Sequence, residues 1–273
     1  MGAPKIIWTI AGFDPSNGAG VTADLRTISA LGCHGVACIT ALTIQNTMGV
    51  RGVEPVQAGI VAETLQTLLE DLPPAAIKIG MLATAENATT VASFLQALPQ
   101  PCPIVLDPIL LASSGAEMLT LEGLTILRER LLPLATIVTP NRAEAAALTG
   151  LPATDAEALA LALRQLGCRA AVVTGGDPVA DDTNPSGAAT DVLAYQLVSM
   201  ESVEELSAPR ITTRATHGTG CAFSTALACE LAMDASIPQA VTRAKSYVRR
   251  AMQNAPGLGQ GKGPLGLEAA ARG

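Results

Sequence analysis

A chain of 273 residues with 49% hydrophobic content can bury a large core, and at this size one large α/β domain is as plausible as two small ones. The formal charge is −7 and the 17 basic residues are scattered, which excludes the basic stripe of a nucleic-acid surface; aromatics at 2% exclude base stacking on exposed rings. No run approaches the ~18–20 apolar residues of a membrane span, the six cysteines form no CxxC pair, and the start MGAPKIIWTIAGFDP reads as a strand rather than an export leader, so a cytoplasmic protein with reduced thiols is expected.

In chain order, KIIWTIAG (5–12) is strand-like and opens into the loop FDPSNGAG. Val21, Leu25, Ile28 and Leu31 then recur at helical spacing. HGVACITALTI (34–44) is a second strand, followed by a helix over about 55–70 whose apolar face is Ile60, Leu65, Leu68 and Leu69. AAIKIGML (75–82) is a third strand, and a helix over about 85–97 leads to PIVLDPIL (103–110). ATIVTPN (135–141) and AAVVTGG (170–176) repeat the plan, each strand opening into a polar turn. This alternation predicts an α/β fold with a mostly parallel sheet and helices on both faces. DVLAYQLVSM and EELSAPRITT read as a small antiparallel edge, helices return over 218–233 and 237–254, and PGLGQGKGPLG reads as mobile. The expected organisation is one domain over 1–255 and a flexible tail over 256–273.

In open α/β sheets ligands lie at the carboxyl ends of the strands. AGFDPSNGAG, TIQNT, IGML, LDP, TPNRAE, TGGD and HGTGC all fall at strand or helix ends on that edge, which predicts one extended cleft. In HGTGC, Gly218, Thr219 and Gly220 would let an anion approach a helix N-terminus, where unpaired N–H groups and the dipole favour negative charge. Cys221 would occupy the first helical turn, where the dipole lowers a thiol below its reference of about 8.5 and equips it to take a proton. The competing reading of this motif alone is a helix cap with a buried cysteine, and no GK[ST] follows to make it a P-loop.

Read in order, AGFDPSNGAGVTADLRT, GVACITALTIQNTMGV, IKIGML, VLDPIL, TPNRAEAAALTG, VVTGGD and RATHGTGCAFSTALA resemble the ribokinase-like superfamily, and within it the hydroxymethylpyrimidine/phosphomethylpyrimidine kinases of thiamine biosynthesis. The resemblance runs from about residue 5 to residue 255. It implies ATP- and Mg²⁺-dependent phosphorylation of 4-amino-5-hydroxymethyl-2-methylpyrimidine and then of its monophosphate, by a homodimer. It assigns the 218–220 turn to an anion hole and Cys221 to the base. Gln45 matches the pyrimidine-reading glutamine, whose amide suits the donor–acceptor edge of an aminopyrimidine; without the resemblance, a polar strand-end residue bonding a loop backbone is the favoured reading.

Gly12, Ala19, Thr43, Met81 and Ile109 match other pocket positions, and Asp24 is placed where capping competes with a ring contact. Asp107 and Glu144 would hold Mg²⁺ largely through its waters, although Asn141 and Glu144 also have the spacing of a capping box. Thr174, Gly176 and Asp177, with Asn141, match the nucleotide side, and His217 leads into the turn. The chain departs from the family pattern at Ser113, where a lysine is usual, and in GFDPSNGAG; Arg142 or Arg214 are candidates to replace the missing charge. A pyridoxal kinase and a non-catalytic pyrimidine-binding domain are the alternatives. A dinucleotide-binding dehydrogenase is disfavoured, because no GxGxxG follows the first strand.

Overall fold

The computed structural model describes residues 2–111, 115, 117–176, 187–197 and 200–271. Its elements run β1 (Ile6–Phe13), α1 (Gly20–Ala30), β2 (His34–Asn46), β3 (Gly49–Pro55), α2 (Ala58–Asp71), β4 (Ala76–Ile79), α3 (Ala85–Gln96), β5 (Ile104–Leu106) and α4 (Leu121–Ile126). They continue through β6 (Ile137–Val138), α5 (Arg142–Thr149), α6 (Ala156–Gln165), β7 (Ala170–Val173), β8 (Ala188–Leu197), β9 (Met200–Pro209), α7 (Thr219–Ala232), α8 (Ile237–Gln253) and α9 (Leu267–Ala270). The strands form one sheet in the order β3-β2-β1-β4-β5-β6-β7-β8-β9. The run from β2 to β7 is parallel, and both edges are antiparallel.

Strand alternation divides the core in two. Trp8, Ile10, Ile77, Ile79, Leu106 and Val138 face one side, where Val61 and Leu65 of α2, Val91 of α3 and Leu159 and Leu163 of α6 cover them. Ile7, Ala76, Val105, Ile137 and Val172 face the other, under Ile28 of α1, the length of α7, Val241 and Ala244 of α8, and Leu267. Because both faces are covered, the parallel strands need apolar residues at successive positions, which is why they read as unbroken apolar runs. α7 is buried on nearly every side, so its start is held rigidly against the sheet.

Three expectations are corrected. No element is expected between residues 45 and 54, where β3 instead pairs with β2 as an edge hairpin. On α2, Val61 rather than Ile60 is buried; Ile60 is exposed, because Val61 lies four residues before Leu65 and seven before Leu68 on the core face, whereas Ile60 lies five before Leu65 and is turned outward. The stretch expected to be a mobile tail is packed over residues 263–267, with Leu265 and Leu267 buried at about 1.5–3 kcal/mol each. Tyr247 donates its hydroxyl to the Leu267 carbonyl, and Arg26 clasps Glu268 at 2.6 Å.

Candidate active site

The chain leaving β9 reaches α7 through the glycine turn. Gly218 has φ +79°, in the left-handed region, and a Cβ there would lie 1.9 Å from the Gly18 carbonyl oxygen. Glycine is required twice over, for conformation and for approach. No side chain caps α7, and its first turn holds no acidic residue. The first intrahelical bond is Ala222 N–H to the Gly218 carbonyl, so the preceding amides remain at the open helix end.

Cys221 follows the turn but is buried, and its thiol is pushed up to about 12. Burial is the main cause, with the negative charges of Asp107 and Asp24 adding to it; the Lys78 ammonium and a hydrogen bond from the Gly20 amide oppose it. The expected lowering by the helix dipole is therefore overturned. Desolvation disfavours the thiolate more than one helix end favours it.

Asp107 follows β5 directly, its N–H donating to the Ile79 carbonyl at 2.8 Å. Its carboxylate is buried, lies 4.0 Å from where a Gly220 Cβ would be, and accepts the Ser224 hydroxyl at 3.0 Å. That hydroxyl also lies 3.0 Å from the Gly220 carbonyl and 3.1 Å from the Cys221 carbonyl, and its single proton serves one of them at a time. Burial raises the Asp107 carboxyl to about 6, against the opposing Lys78 charge and the Ser224 bond.

On the other side of the sheet's carboxyl edge, Asn141 and Glu144 form a reciprocal capping box. Glu144 N–H donates to Asn141 Oδ1, and Asn141 N–H to Glu144 Oε2, each at 2.9 Å. Thr174 is joined to this turn by a β-bridge to Asn141 and by its N–H to the Pro140 carbonyl at 2.9 Å. Gly176 is exposed with open space around it, and its carbonyl accepts from Arg210 at 2.9 Å. The sterically necessary glycine is its neighbour: a Cβ on Gly175 would lie 1.9 Å from the Thr190 carbonyl oxygen. Gly175 N–H donates to Asp191, which Lys245 holds at 2.7 Å. Asp177 and Ser113 lie outside the described residues. Arg142 is turned to the Thr154 carbonyl at 3.3 Å, and Arg214 is exposed.

The ring-side residues gather at the ends of β1, β2 and β4. A Cβ on Gly12 would lie 2.9 Å from Met81 Sδ. Met81 packs in a small apolar cluster with Ala41, Ala83 and Met118, against which Ile109, Val50 and Val53 rest. Thr43 donates its hydroxyl to the Phe13 carbonyl at 2.9 Å, so it fixes the loop rather than offering a free donor. Gln45 is half-buried beside an irregularity between Ile44 and Gln45 in the β2–β3 ladder; such bulges re-aim side chains. Ala19 caps α1 by position, its N–H held by Asp14 Oδ2 at 2.8 Å.

Asp24 is the correction on this side. It is fully buried and neither caps α1 nor reaches the ring pocket. Its carboxylate accepts Thr9 at 2.5 Å, Thr225 at 2.8 Å and the Lys78 ammonium at 2.9 Å. Sequence reasoning also passed over Asp14 and His217. Asp14 accepts from Ser16, Gly18 and Ala19, and pairs with His217 Nε2 at 2.8 Å, so it welds the first loop to the turn before Gly218. Burial opposes ionisation of Asp14, but the His217 and Ser16 hydrogen bonds outweigh it and hold its carboxyl below the usual range. An aspartate in a glycine-containing loop after the first strand was the available signal. A separate cavity of about 390 Å³ lies between Ile211–Ala215 and Met252–Gly263, and of the candidate residues Arg214 lines it.

The site thus joins an uncapped helix start, a buried carboxylate beside it and an apolar shelf two strands away. The family model for phosphomethylpyrimidine kinase matches residues 14–266. The chain belongs to that family. Phosphoryl transfer is the chemistry of this kinase family, and the ribokinase-like architecture is that of its solved members. The hydroxymethylpyrimidine/phosphomethylpyrimidine kinase of Streptomyces coelicolor is 39% identical over 96% of this chain and 94% of its own. The thiamine biosynthesis bifunctional protein ThiED of Geobacter sulfurreducens is 38% identical over 95% of this chain; the match spans about half (51%) of that longer protein. Among solved structures, phosphomethylpyrimidine kinase from Clostridium difficile is 33% identical with a TM-score of 0.75, covering 90% of this chain and 99% of that one. Pyridoxal kinase from Staphylococcus aureus in complex with AMP-PCP and pyridoxal is 28% identical with a TM-score of 0.83, covering 98% of this chain and 95% of that one. Among the described residues no helix is long and apolar enough to cross a membrane.

Proposed function

We propose that this kinase uses ATP to phosphorylate 4-amino-5-hydroxymethyl-2-methylpyrimidine and then its monophosphate, as a step of thiamine biosynthesis. The observation that carries the reading is the uncapped start of α7, facing the buried Asp107 carboxylate and sharing an edge with the Gly12–Met81–Ile109 shelf. In the first transfer the hydroxymethyl oxygen, and in the second a phosphate oxygen of the monophosphate, bonds to the γ-phosphorus; the bond from that phosphorus to the β-phosphate bridging oxygen breaks, and its electron pair leaves on ADP. The amides of Thr219, Gly220 and Cys221 hold the transferring group, since this chemistry is catalysed mainly by positioning and charge stabilisation. With its thiol raised to about 12, Cys221 enters the reaction protonated and does not take the hydroxyl proton, which passes to an oxygen of the transferred phosphoryl group after the new P–O bond has largely formed. Gln45 reads the aminopyrimidine edge, Met81 and Ile109 supply the apolar surface, and Asn141, Thr174, Gly176 and Asp177 form the nucleotide side.

Asp107 and Glu144 fit Mg²⁺ in a limited sense. Among the described residues no three His, Cys, Asp or Glu side chains cluster as a metal cage, and one Glu144 oxygen is engaged in the capping box. Asp107, a buried carboxylate with one hydroxyl donor, suits a cation that keeps most of its water and phosphate oxygens. Asp107, with Glu144 through water, would hold Mg²⁺, which would supply neutralising charge to the ATP phosphates.

The reading includes a homodimer in the cytoplasm. Exposed Leu42, Ile44 and Met48 on the edge hairpin support pairing, and six free thiols support a reducing compartment. Light scattering at micromolar protein tests the first: a monomer removes it. Parallel turnover of hydroxymethylpyrimidine, its monophosphate and pyridoxal with MgATP tests the substrate. Turnover of both pyrimidines with pyridoxal poor is expected. Preference for pyridoxal, the ligand named for the staphylococcal neighbour, would replace the proposed substrate.

A further inference from the structure

β4 carries a residue that a buried strand rarely tolerates. Lys78 stands between Ile77 and Ile79 with its side chain fully buried, on the sheet face covered by α1 and α7. It lies directly across from Thr9 in the β1–β4 ladder, and its ammonium donates to Asp24 Oδ2 at 2.9 Å. Thr9 and Thr225 donate to the same carboxylate, so one charge is fixed by three donors from β1, β4 and α7. Asp24 is the single hydrogen-bond acceptor of Lys78 among the described residues. A Cβ on Gly80 would lie 2.9 Å from Nζ, which ties the space around the ammonium to the IGML turn at the carboxyl edge.

Stability does not account for this pair. Replacing a buried ion pair by well-packed neutral residues is often neutral or stabilising, so retaining one is weak evidence of a structural role. The orientation says more. Lys78 acts on Cys221 more strongly than Asp24 does, and the same order holds at Asp107. Thr225, the α7 donor to Asp24 at 2.8 Å, directly follows Ser224, which donates to Asp107 at 3.0 Å, so the pair lies against the first turns of α7. Burial alone would lower the Lys78 ammonium's pKa, but Asp24 chiefly, with Cys221 and Asp107, holds it above the ordinary lysine value, so the charge is permanent at working pH.

We propose that Lys78 is a positioning residue for phosphoryl transfer: with Asp24 as its counterion, its buried ammonium supplies a fixed positive potential beneath the 218–221 turn that favours the negative charge arriving there. It touches neither substrate nor nucleotide and acts through the turn it underlies. A preorganised charge in a water-excluded site costs no reorganisation when the phosphoryl group moves. This deepens the kinase reading above and rests on it.

The test replaces the pair by neutral residues of similar shape, Lys78→Met with Asp24→Asn, keeping the Thr9 and Thr225 bonds to position 24. Folding is monitored by thermal unfolding. Steady-state kinetics with hydroxymethylpyrimidine and MgATP should give kcat lower by about 100-fold, the scale of a lost preorganised donor, with both KM values within about threefold. Thr225→Val is the matched structural control: it unhooks one donor from Asp24 but keeps the ammonium, so it should lower thermal stability and leave kcat within about threefold of wild type. The proposal is overturned if the double variant keeps wild-type kcat, or if Thr225→Val loses as much. Should Lys78→Met/Asp24→Asn not fold, Lys78→Gln/Asp24→Asn reads the same split. Calorimetric binding of ADP with and without aluminium fluoride, a phosphoryl mimic, separates this proposal from the substrate reading. A wild type inactive on every ring would sink the substrate alone. Selective loss of the fluoride-dependent affinity in the double variant would still support Lys78, and unchanged affinity would remove it.

Discussion

Two helices begin at the carboxyl edge of the same sheet, and they begin differently. α5 closes its own start: Asn141 and Glu144 exchange hydrogen bonds at 2.9 Å and satisfy the amides that a helix leaves open. α7 starts with a left-handed glycine, has no capping side chain and carries no acid in its first turn. One helix satisfies its first N–H groups with its own capping box, while the other leaves its start without a side-chain cap. On the reading proposed above the contrast marks where negative charge arrives, and the two starts are reached differently: α5 follows the parallel strand β6 directly, whereas α7 is reached from the antiparallel edge strand β9 through residues 210–218.

Closing or deforming the open end should have the largest effect. Gly218→Ala meets both a positive φ and the Gly18 carbonyl oxygen, so we expect kcat to fall by about 1,000-fold, with KM for the ring alcohol less affected. A loss below tenfold would mean that the turn does not hold the phosphoryl group. Asp107→Asn comes next, with kcat lower by about 100-fold and a stability change of opposite sign. Because the folded state holds the Asp107 proton with a pKa of about 6 against an ordinary 3.8, ionising it costs stability as pH rises through that interval, and the cost is complete above 6. The asparagine variant should therefore be more stable than wild type by about 2 kcal/mol at pH 7.5 without metal, and the gain should vanish near pH 4. Thermal unfolding at the two pH values checks this, and equal shifts at both would contradict a buried charge.

Cys221→Ala should be milder, about tenfold in kcat, because a loose transition state asks for little early proton removal. Loss on the Gly218→Ala scale would restore the thiol as an obligatory base. The closed end should respond least. Asn141→Ala removes half of the capping box, so it should cost about 1 kcal/mol in urea unfolding and less than tenfold in kcat. A kinetic defect larger than that of Cys221→Ala would reverse the contrast between the two helix starts.

The sequence made the parallel architecture legible because buried strands such as IIWTIAG and AAVV leave continuous apolar runs, each broken by a polar turn. HGTGC and TPNRAE were readable for a similar reason: local chemistry at a helix start is written within four or five positions. What escaped was set by distance or by sign. Nothing near Asp14 reveals His217 as its partner, and Asp24 looked like a capping or ring-contacting acid until Lys78 appeared beside it from another strand. Lys78 itself was hidden by its setting, a charge between two isoleucines in an otherwise apolar strand. The thiol of Cys221 was misjudged because helix position can be read from sequence but burial cannot.

The Asp14–His217 bridge joins positions 203 residues apart, and its consequence lies in synthesis. A chain emerging amino-terminus first can fold β1 and the following β–α units early, but its first loop lacks its partner until translation is four-fifths complete. Incomplete products would lack both the 218–221 turn and α7, which covers one face of the sheet.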